Sequence, residues 1–410
     1  MGADLTINCE VMALVRLAAE LGAQSAGGPL TDEECATLQY ARELAPDDAA
    51  EREAVRLAIT RGEDPLGSRL AAARPAAERR AVGAFYTPES IVTPMTTWIL
   101  DHEPARVVDA GCGSGRFSAA VARARPHVEI VAIDTDPVAT LLTRAALHVL
   151  GAARTRVLHA DYISLHLPQS PGRTAFIGNP PYVRHHDLSA EAKARAARMG
   201  AALGYRVSGL AGLHTHFLLA TMLYARPGDS WCFVTSAEWL DVGYGAAIRS
   251  LFLDGFGGGS LDLIAPSVSA FEDVQTTAVI ACGEVGARQP WIRLDRLDHV
   301  DRLGSLASGR HVDRSELASA HRWSPLFREA AEGGDENRAP PLGSIARVHR
   351  GLVTGANDFF VMARERARAL ERDAWCRPSI TVAREILDGN GVVRDSTSRK
   401  LLLALPRDLD

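Results

Sequence analysis

The sequence predicts a doubly wound α/β protein built on a mostly parallel sheet, and three observations carry that prediction. From Val107 onward, short β-prone runs alternate with helix-length segments, the pattern of a parallel sheet with helices on its faces. A Gly-rich turn joins the first of these runs to a helix. Acidic residues then recur at the ends of successive strands, on the edge where such sheets bind ligands.

Taken in order, residues 1–80 are rich in Ala, Leu, Glu and Arg, with apolar positions at helical spacing ("VMALVRLAAELG", "EREAVRLAITRG") and breaks near Gly27-Gly28 and Pro65. They read as a helical N-terminal unit of open function. Residues 81–330 carry the strands: "ARVVDAG", "VEIVAID", "RVLHAD", "TAFIGNPP", "SWCFVTS", "LDLIAP" and "TTAVIACG". Residues 331–343, "AEGGDENRAPPLG", are polar and Gly/Pro-rich and read as a linker, and 344–410 form a short third segment.

Composition narrows the class. With 410 residues, 47% hydrophobic content and a mean hydropathy of -0.03, the chain has enough apolar sequence for a large core. No basic-then-apolar leader and no apolar run of bilayer length occurs, so the expectation is a cytoplasmic protein without a membrane partner. The six cysteines are scattered, without C-x-x-C pairs or His at ligand spacing, and imply neither disulfides nor a metal site. A net charge of -5 excludes a protein coated in basic surface, so nucleic-acid contact has to be local.

The first chemical signal is "VVDAGCGSGRFSAAVARA", residues 107–124, an apolar strand, an acid, a Gly-rich turn and a helix. Gly111, Gly113 and Gly115 permit a tight turn and close approach of a ligand to the backbone. Asp109 precedes the turn, Asp134 ends the second strand, and Asp161 ends the third with Tyr162 beside it. One such acid is ordinarily a turn or cap residue; three on one edge favour a nucleoside-containing cofactor. The spacing G-C-G-S-G followed by Arg116 departs from the G-x-G-x-x-G of dinucleotide sites. S-adenosylmethionine, which has no phosphates to cradle, suits close backbone approach and acidic anchors better.

The second signal is "TAFIGNPPY", which runs a fourth strand into Asn179-Pro180-Pro181-Tyr182 at the same edge. Two consecutive prolines fix two φ angles and remove two donors, giving a rigid turn with its carbonyls aimed. An aromatic amine such as adenine's is a poor nucleophile because its lone pair is delocalised into the ring. If the Asn179 side-chain oxygen and the Pro180 carbonyl each accept one amine hydrogen, the lone pair is aimed at a methyl donor, and catalysis is mainly positioning. Tyr182 would then stack on the base, a contact worth roughly 1–3 kcal/mol.

These residues resemble the amino-methyltransferases with an N/D-P-P-Y/F motif, and among them the gamma-type (Taq-type) DNA adenine-N6 methyltransferases of restriction-modification systems. The resemblance spans roughly residues 83–360. It includes "GAFYTPESIV", whose Thr87 matches a Thr that touches the methionine end of the cofactor; "LHTHFLLATMLYARPGDSWCFVTSAEWL"; "VSAFEDVQTTAVI", whose Phe271 matches an aromatic packed on the flipped base; and "RVHRGLVTGANDFFV", similar to the opening of a target-recognition region. It implies a class I, Rossmann-like methyltransferase domain with a partial recognition domain, S-adenosylmethionine as cofactor, and double-stranded DNA with a flipped adenine as substrate. Carried over, Asp109 sits near the cofactor, Asp134 holds its ribose and Asp161 contacts its adenine. Arg184, Arg195 and Arg198, after the tetrapeptide, are candidate phosphate contacts.

Two departures accompany the likeness. The strand after the catalytic loop reads "VTSAEWL", without the proline the family often has there. The stretch after the linker is shorter than a family recognition domain, so the expectation is a truncated piece, a compact recognition region, or recognition supplied by a partner, with a cognate restriction endonuclease as a second candidate partner. A protein-glutamine N5-methyltransferase is the enzymatic alternative, since an amide nitrogen poses the same chemical problem. A non-catalytic nucleic-acid-binding subunit is the alternative of another class. An intrinsic nuclease in the first eighty residues is disfavoured because they hold no lysine.

Overall fold

The computed structural model describes residues 9–43, 49–75, 78–79, 83, 86–265, 277–298, 304, 306–327, 344, 357–371, 373–379 and 400–403. Phe271 and the linker 331–343 lie outside the described residues. The chain divides into two compact units, Met1–Ala330 and Ala331–Asp410.

The first unit is organised by a nine-stranded sheet in the order β3-β2-β1-β4-β5-β7-β6-β8-β9. Its strands are β1 Arg106–Ala110, β2 Glu129–Asp134, β3 Thr155–His159, β4 Thr174–Gly178, β5 Ser230–Ser236, β6 Gly258–Ile264, β7 Ala278–Glu284, β8 Trp291–Leu297 and β9 Arg310–Asp313. β3, β2, β1, β4 and β5 are parallel, while β7 runs antiparallel between β5 and β6. The apolar runs identified in the sequence correspond to β1 through β7. β8 and β9 were not anticipated: "WIRLDRL" alternates apolar and charged residues, yet Arg293 and Asp295 are buried alongside Ile292 and Leu294.

β1 and β4, third and fourth in the sheet, are buried at every position, as strands covered on both faces must be. One face is covered by α5 (Glu89–Leu100) and α6 (Arg116–Ala124), which share a core with Val107, Ala132 and Ile177. The other carries α9 (Leu213–Tyr224) and α10 (Ala246–Leu253), packed with Val108, Phe176 and Trp231. α7 (Pro137–Val149) follows β2, and α8 (Ala190–Ala202) precedes α9.

The N-terminal helices α1 (Cys9–Glu20), α2 (Asp32–Ala41), α3 (Ala49–Arg61) and α4 (Pro65–Ala73) pack on α7 through Leu14, Leu17, Leu38 and Ile59 against Leu141, Leu142 and Ala145. A fully buried ion pair fastens this layer: Arg144 Nε donates to Glu34 Oε1 at 2.9 Å, and the rest of the guanidinium reaches the carbonyls of Ala26, Gly28, Pro29 and Val157. Glu34 also closes a capping box with Thr31 at the start of α2. The Val157 amide donates to the Gly27 carbonyl at 2.8 Å, so the outer edge of β3 is covered by the same layer.

The second unit contains a three-stranded antiparallel sheet in the order β10-β12-β11, built from Val361–Ala363, Lys400–Leu403 and Cys376–Ser379, around Met362, Ala367 and Leu401. Among the described residues no helix is long and apolar enough to cross a membrane.

Candidate active site

The Gly-rich turn leaves β1 with Gly111, Gly113 and Gly115 at φ of 74°, 56° and 85°, left-handed values that exclude most side chains. A Cβ on Gly115 would lie 2.8 Å from Thr143 Oγ1, whereas one on Gly113 would meet nothing within 4 Å, so the middle of the turn is open to a ligand. The Gly113 amide donates to Asp134 Oδ2 at 2.8 Å and the Asp136 amide to Oδ1 at 3.0 Å, which fixes the Asp134 carboxylate between two turns. Burial raises the Asp134 pKa above the usual carboxylate range, against the pull of those amides. Asp136 caps α7 through the Val138 amide and pairs with Arg74.

Asp161 is held in the same manner. Its Oδ1 accepts from the Ile163 amide at 3.0 Å, and Oδ2 accepts from Ser164 Oγ at 2.8 Å and Arg195 at 3.1 Å. Tyr162 beside it is buried, its hydroxyl 2.8 Å from Thr221 Oγ1 and its ring stacked on Phe217 at 5.3 Å. Asp109 turns inward, where Oδ2 accepts from both the amide and hydroxyl of Ser118 and anchors the first turn of α6. Complete burial pushes its carboxyl up to about 7.

β4 delivers Asn179 to the same edge. Its Nδ2 donates to Thr87 Oγ1 at 3.1 Å, and its Oδ1 is buried with no hydrogen-bond partner among the described residues. The loop that follows is pinned at two points: the Tyr182 amide donates to the Gly83 carbonyl at 3.2 Å, and the Leu213 amide to the Val183 carbonyl at 3.0 Å. Gly83, at φ 68°, leaves no room for a Cβ, which would sit 2.6 Å from the Tyr182 nitrogen. Burial also raises the Tyr182 hydroxyl pKa.

A cavity of about 600 Å³ joins these elements. Of the residues expected from sequence, Gly111, Gly113, Asp134, Asp161, Tyr162, Asn179 and Pro181 line it, and Arg195 joins them through its pair with Asp161. Thr87 hydrogen-bonds Asn179, Asp109 anchors the start of α6 and Gly115 caps it, and Pro180 is buried between the lining residues Asn179 and Pro181. Tyr182 follows in the pinned loop, and Arg184 and Arg198 are exposed beyond it. Leu70, Arg74, Glu78 and Arg79 of the N-terminal unit also line the cavity, and sequence reasoning missed them. Their only local signal is Asp64-Pro65, a helix start; nothing in the spacing ties that helix to a turn fifty residues away.

The arrangement suits a nucleoside. Open backbone at Gly113, two carboxylates held with oxygens toward one cavity, and apolar wall from Ala139, Ile163 and Phe217 match sugar hydroxyls, an amine and a base. The unpartnered Asn179 oxygen at one end is an acceptor waiting for a donor, since a buried carbonyl left unsatisfied costs about 1–3 kcal/mol.

Comparisons with known proteins bear on the sequence and the fold. The Methyltransferase small domain model matches residues 95–202, and that of the C-terminal domain of Type II methyltransferase M.Eco57I matches residues 328–402. Type II methyltransferase M.XamI of Xanthomonas campestris pv. amaranthicola is 43% identical over 351 residues, covering 85% of this chain and 64% of the relative. Type II methyltransferase M.AccI of Acinetobacter calcoaceticus is 22% identical over 320 residues, 75% of this chain and 58% of the relative. The chain thus spans about three fifths of the length of these relatives. The Type IIL restriction-modification enzyme MmeI, solved in complex with DNA, superimposes with a TM-score of 0.54 at 13% identity over 96% of this chain and 62% of that one, a likeness of fold. The fold is that of class I methyltransferases, and by its sequence the chain is similar to Type II methyltransferases of restriction-modification systems.

Proposed function

We propose that this protein transfers a methyl group from S-adenosylmethionine to the exocyclic N6 of an adenine flipped out of double-stranded DNA. It does so in the cytoplasm, as the modifying partner of a cognate restriction endonuclease. The observation that carries the reading is the buried Asn179 oxygen, left without a partner at the end of the acid-lined cavity while Thr87 holds its amide nitrogen.

When bound, S-adenosylmethionine supplies an electrophilic methyl group on a sulfonium. The chain's own residues do the rest. Asp134 would hold the ribose hydroxyls of the cofactor and Asp161 its adenine, and the open backbone at Gly111 and Gly113 would admit its methionine end. Asn179 Oδ1 and the Pro180 carbonyl accept the two hydrogens of the target amine, drawing its lone pair out of conjugation and toward the methyl group. The two oxygens would stabilise the positive charge that the amine nitrogen gains on methylation, until its extra proton leaves to solvent. Tyr182 and Phe271 stack on the extruded base and offset part of the few kcal/mol that unpairing costs.

Tritiated methyl transfer to DNA tests this. Asn179→Ala is expected to lower turnover by at least about 10²–10³-fold, the scale for loss of one preorganised polar partner, with the folded state intact. Equal incorporation by wild type and variant would overturn it. A glutamine amide fits the same clamp, so a release factor is the control substrate: label in the factor and none in DNA would replace the DNA reading. The match of residues 328–402 to the C-terminal domain of a Type II methyltransferase supports DNA.

A further inference from the structure

One carboxylate of the N-terminal helical unit reaches the Gly-rich turn beside the cavity. Asp64 precedes Pro65 at the start of α4, and its Oδ1 accepts from the Gly67 amide at 2.8 Å, an ordinary N-cap. Its Oδ2 does something a cap does not require. It accepts from Ser114 Oγ at 2.6 Å, across fifty residues of chain, and Ser114 lies between Gly113 and Gly115 in the cofactor turn. A Cβ on Gly67 would come within 2.1 Å of Asp64 Oδ2 and 2.3 Å of Ser114 Oγ, so this helix start is kept bare for that contact.

The same oxygen lies 3.8 Å from Arg116 Nε, in a pair whose side chains are only 12% and 10% exposed. Arg116 in turn donates to the Thr87 carbonyl, pairs with Glu89 at 3.1 Å and covers the Tyr86 ring at 4.2 Å. Tyr86 Oη is 3.1 Å from Ser68 Oγ, back on α4. Thr87 is the residue that receives the Asn179 amide nitrogen. A continuous polar chain therefore runs from Asp64 through Arg116 and Thr87 to Asn179, with a branch through Ser114 to the Gly-rich turn.

We propose that Asp64 is a positioning residue for both halves of the site: its Ser114 arm sets the cofactor turn, and its Arg116 arm sets the segment that orients the Asn179 amide. The inference rests on the methyltransferase reading above and assigns the N-terminal helices to the catalytic apparatus.

The two arms are separable. Ser114→Ala removes only the first, and is expected to weaken binding of S-adenosylhomocysteine, read by calorimetry, by about tenfold, the scale of a hydrogen bond to a charged group. Asp64→Asn keeps an acceptor for the Gly67 amide and lets Ser114 Oγ accept from the new side-chain NH2, but loses the charge facing Arg116, and is expected to lower kcat at saturating cofactor by about tenfold. In an Asp64→Ala background, Ser114→Ala is expected to weaken the cofactor product no further. Glu20→Gln, which breaks ion pairs to Arg16 and Arg52 elsewhere in the same helices, serves as the control for stability: it lowers Tm while affinity and kcat hold. Unchanged affinity in Ser114→Ala together with unchanged kcat in Asp64→Asn, or additive effects in the double variant, would overturn the proposal. Were wild type to transfer no methyl to DNA, the methyltransferase reading would fall, and the affinity measurements would still judge Asp64.

Discussion

The two halves of the central sheet differ in how their buried carboxylates and side-chain amide are partnered. On the side formed by β3, β2, β1 and β4, acceptors are left open: Asn179 Oδ1 and Asp109 Oδ1 are buried without partners among the described residues. On the side formed by β5, β7, β6, β8 and β9, the buried charges are closed. Arg293 grips both oxygens of Asp262 at 2.7 and 2.6 Å, and Asp295 accepts from Ser308. The indole nitrogens of Trp231, Trp239 and Trp323 donate to Phe256, Thr235 and Leu317. An unsatisfied buried acceptor is a standing cost that folding alone would remove, and at Asn179 it stands on the cavity, where a ligand can complete it.

The largest effect that sharpens this contrast belongs to the closed half. Arg293→Met leaves Asp262 buried and unpaired and is expected to cost about 3–5 kcal/mol, whereas adding Asp262→Leu is expected to recover most of it. Urea denaturation reads both; a single-variant loss under about 1 kcal/mol would mean that the pairing closes nothing.

Of the three arginines after the tetrapeptide, Arg195 pairs with an acid of the cavity, at 3.1 Å from Asp161, while Arg184 and Arg198 face solvent. Arg184→Gln and Arg198→Gln are each expected to reduce the slope of log DNA affinity against log salt by about 1, and Arg195→Gln to leave it nearly unchanged while weakening cofactor-product binding. A slope lowered equally by all three would place Arg195 among the phosphate contacts after all.

The smallest effect is a pH dependence. Asp109 has its carboxyl raised to about 7 by burial, so between about pH 4 and 7 the folded state binds more protons than the unfolded one. Stability contributed there falls as pH rises through that window. Asp109→Asn removes the titration, and its Tm relative to wild type is expected to climb from pH 5 to pH 8. A flat difference would show that Asp109 is ionised throughout.

Much of this site was legible in one dimension because its chemistry sits at strand ends. Asp134, Asp161 and Asn179 each follow an apolar run whose length and β-branching announce a strand, and Gly111, Gly113 and Gly115 mark a turn whose positive φ angles only glycine adopts readily. β8 escaped notice because its charged residues looked exposed; Arg293 and Asp295 are inside because partners on neighbouring elements satisfy them. The role of Asp64 escaped because a cap and a long-range acceptor look alike in sequence.

By itself, then, the amino-acid order determined the alternation of strand and helix, the edge at which the acids gather and the tetrapeptide that ends β4, since all are set by local periodicity and backbone restriction. Only the tertiary structure decided that Asp109 turns inward to Ser118, that Arg195 closes on Asp161, and that the N-terminal helices wall the cavity and hold Ser114. Those outcomes depend on which groups meet across tens of residues, and the free energy of a buried charge is settled by the partner it finds rather than by its neighbours in sequence.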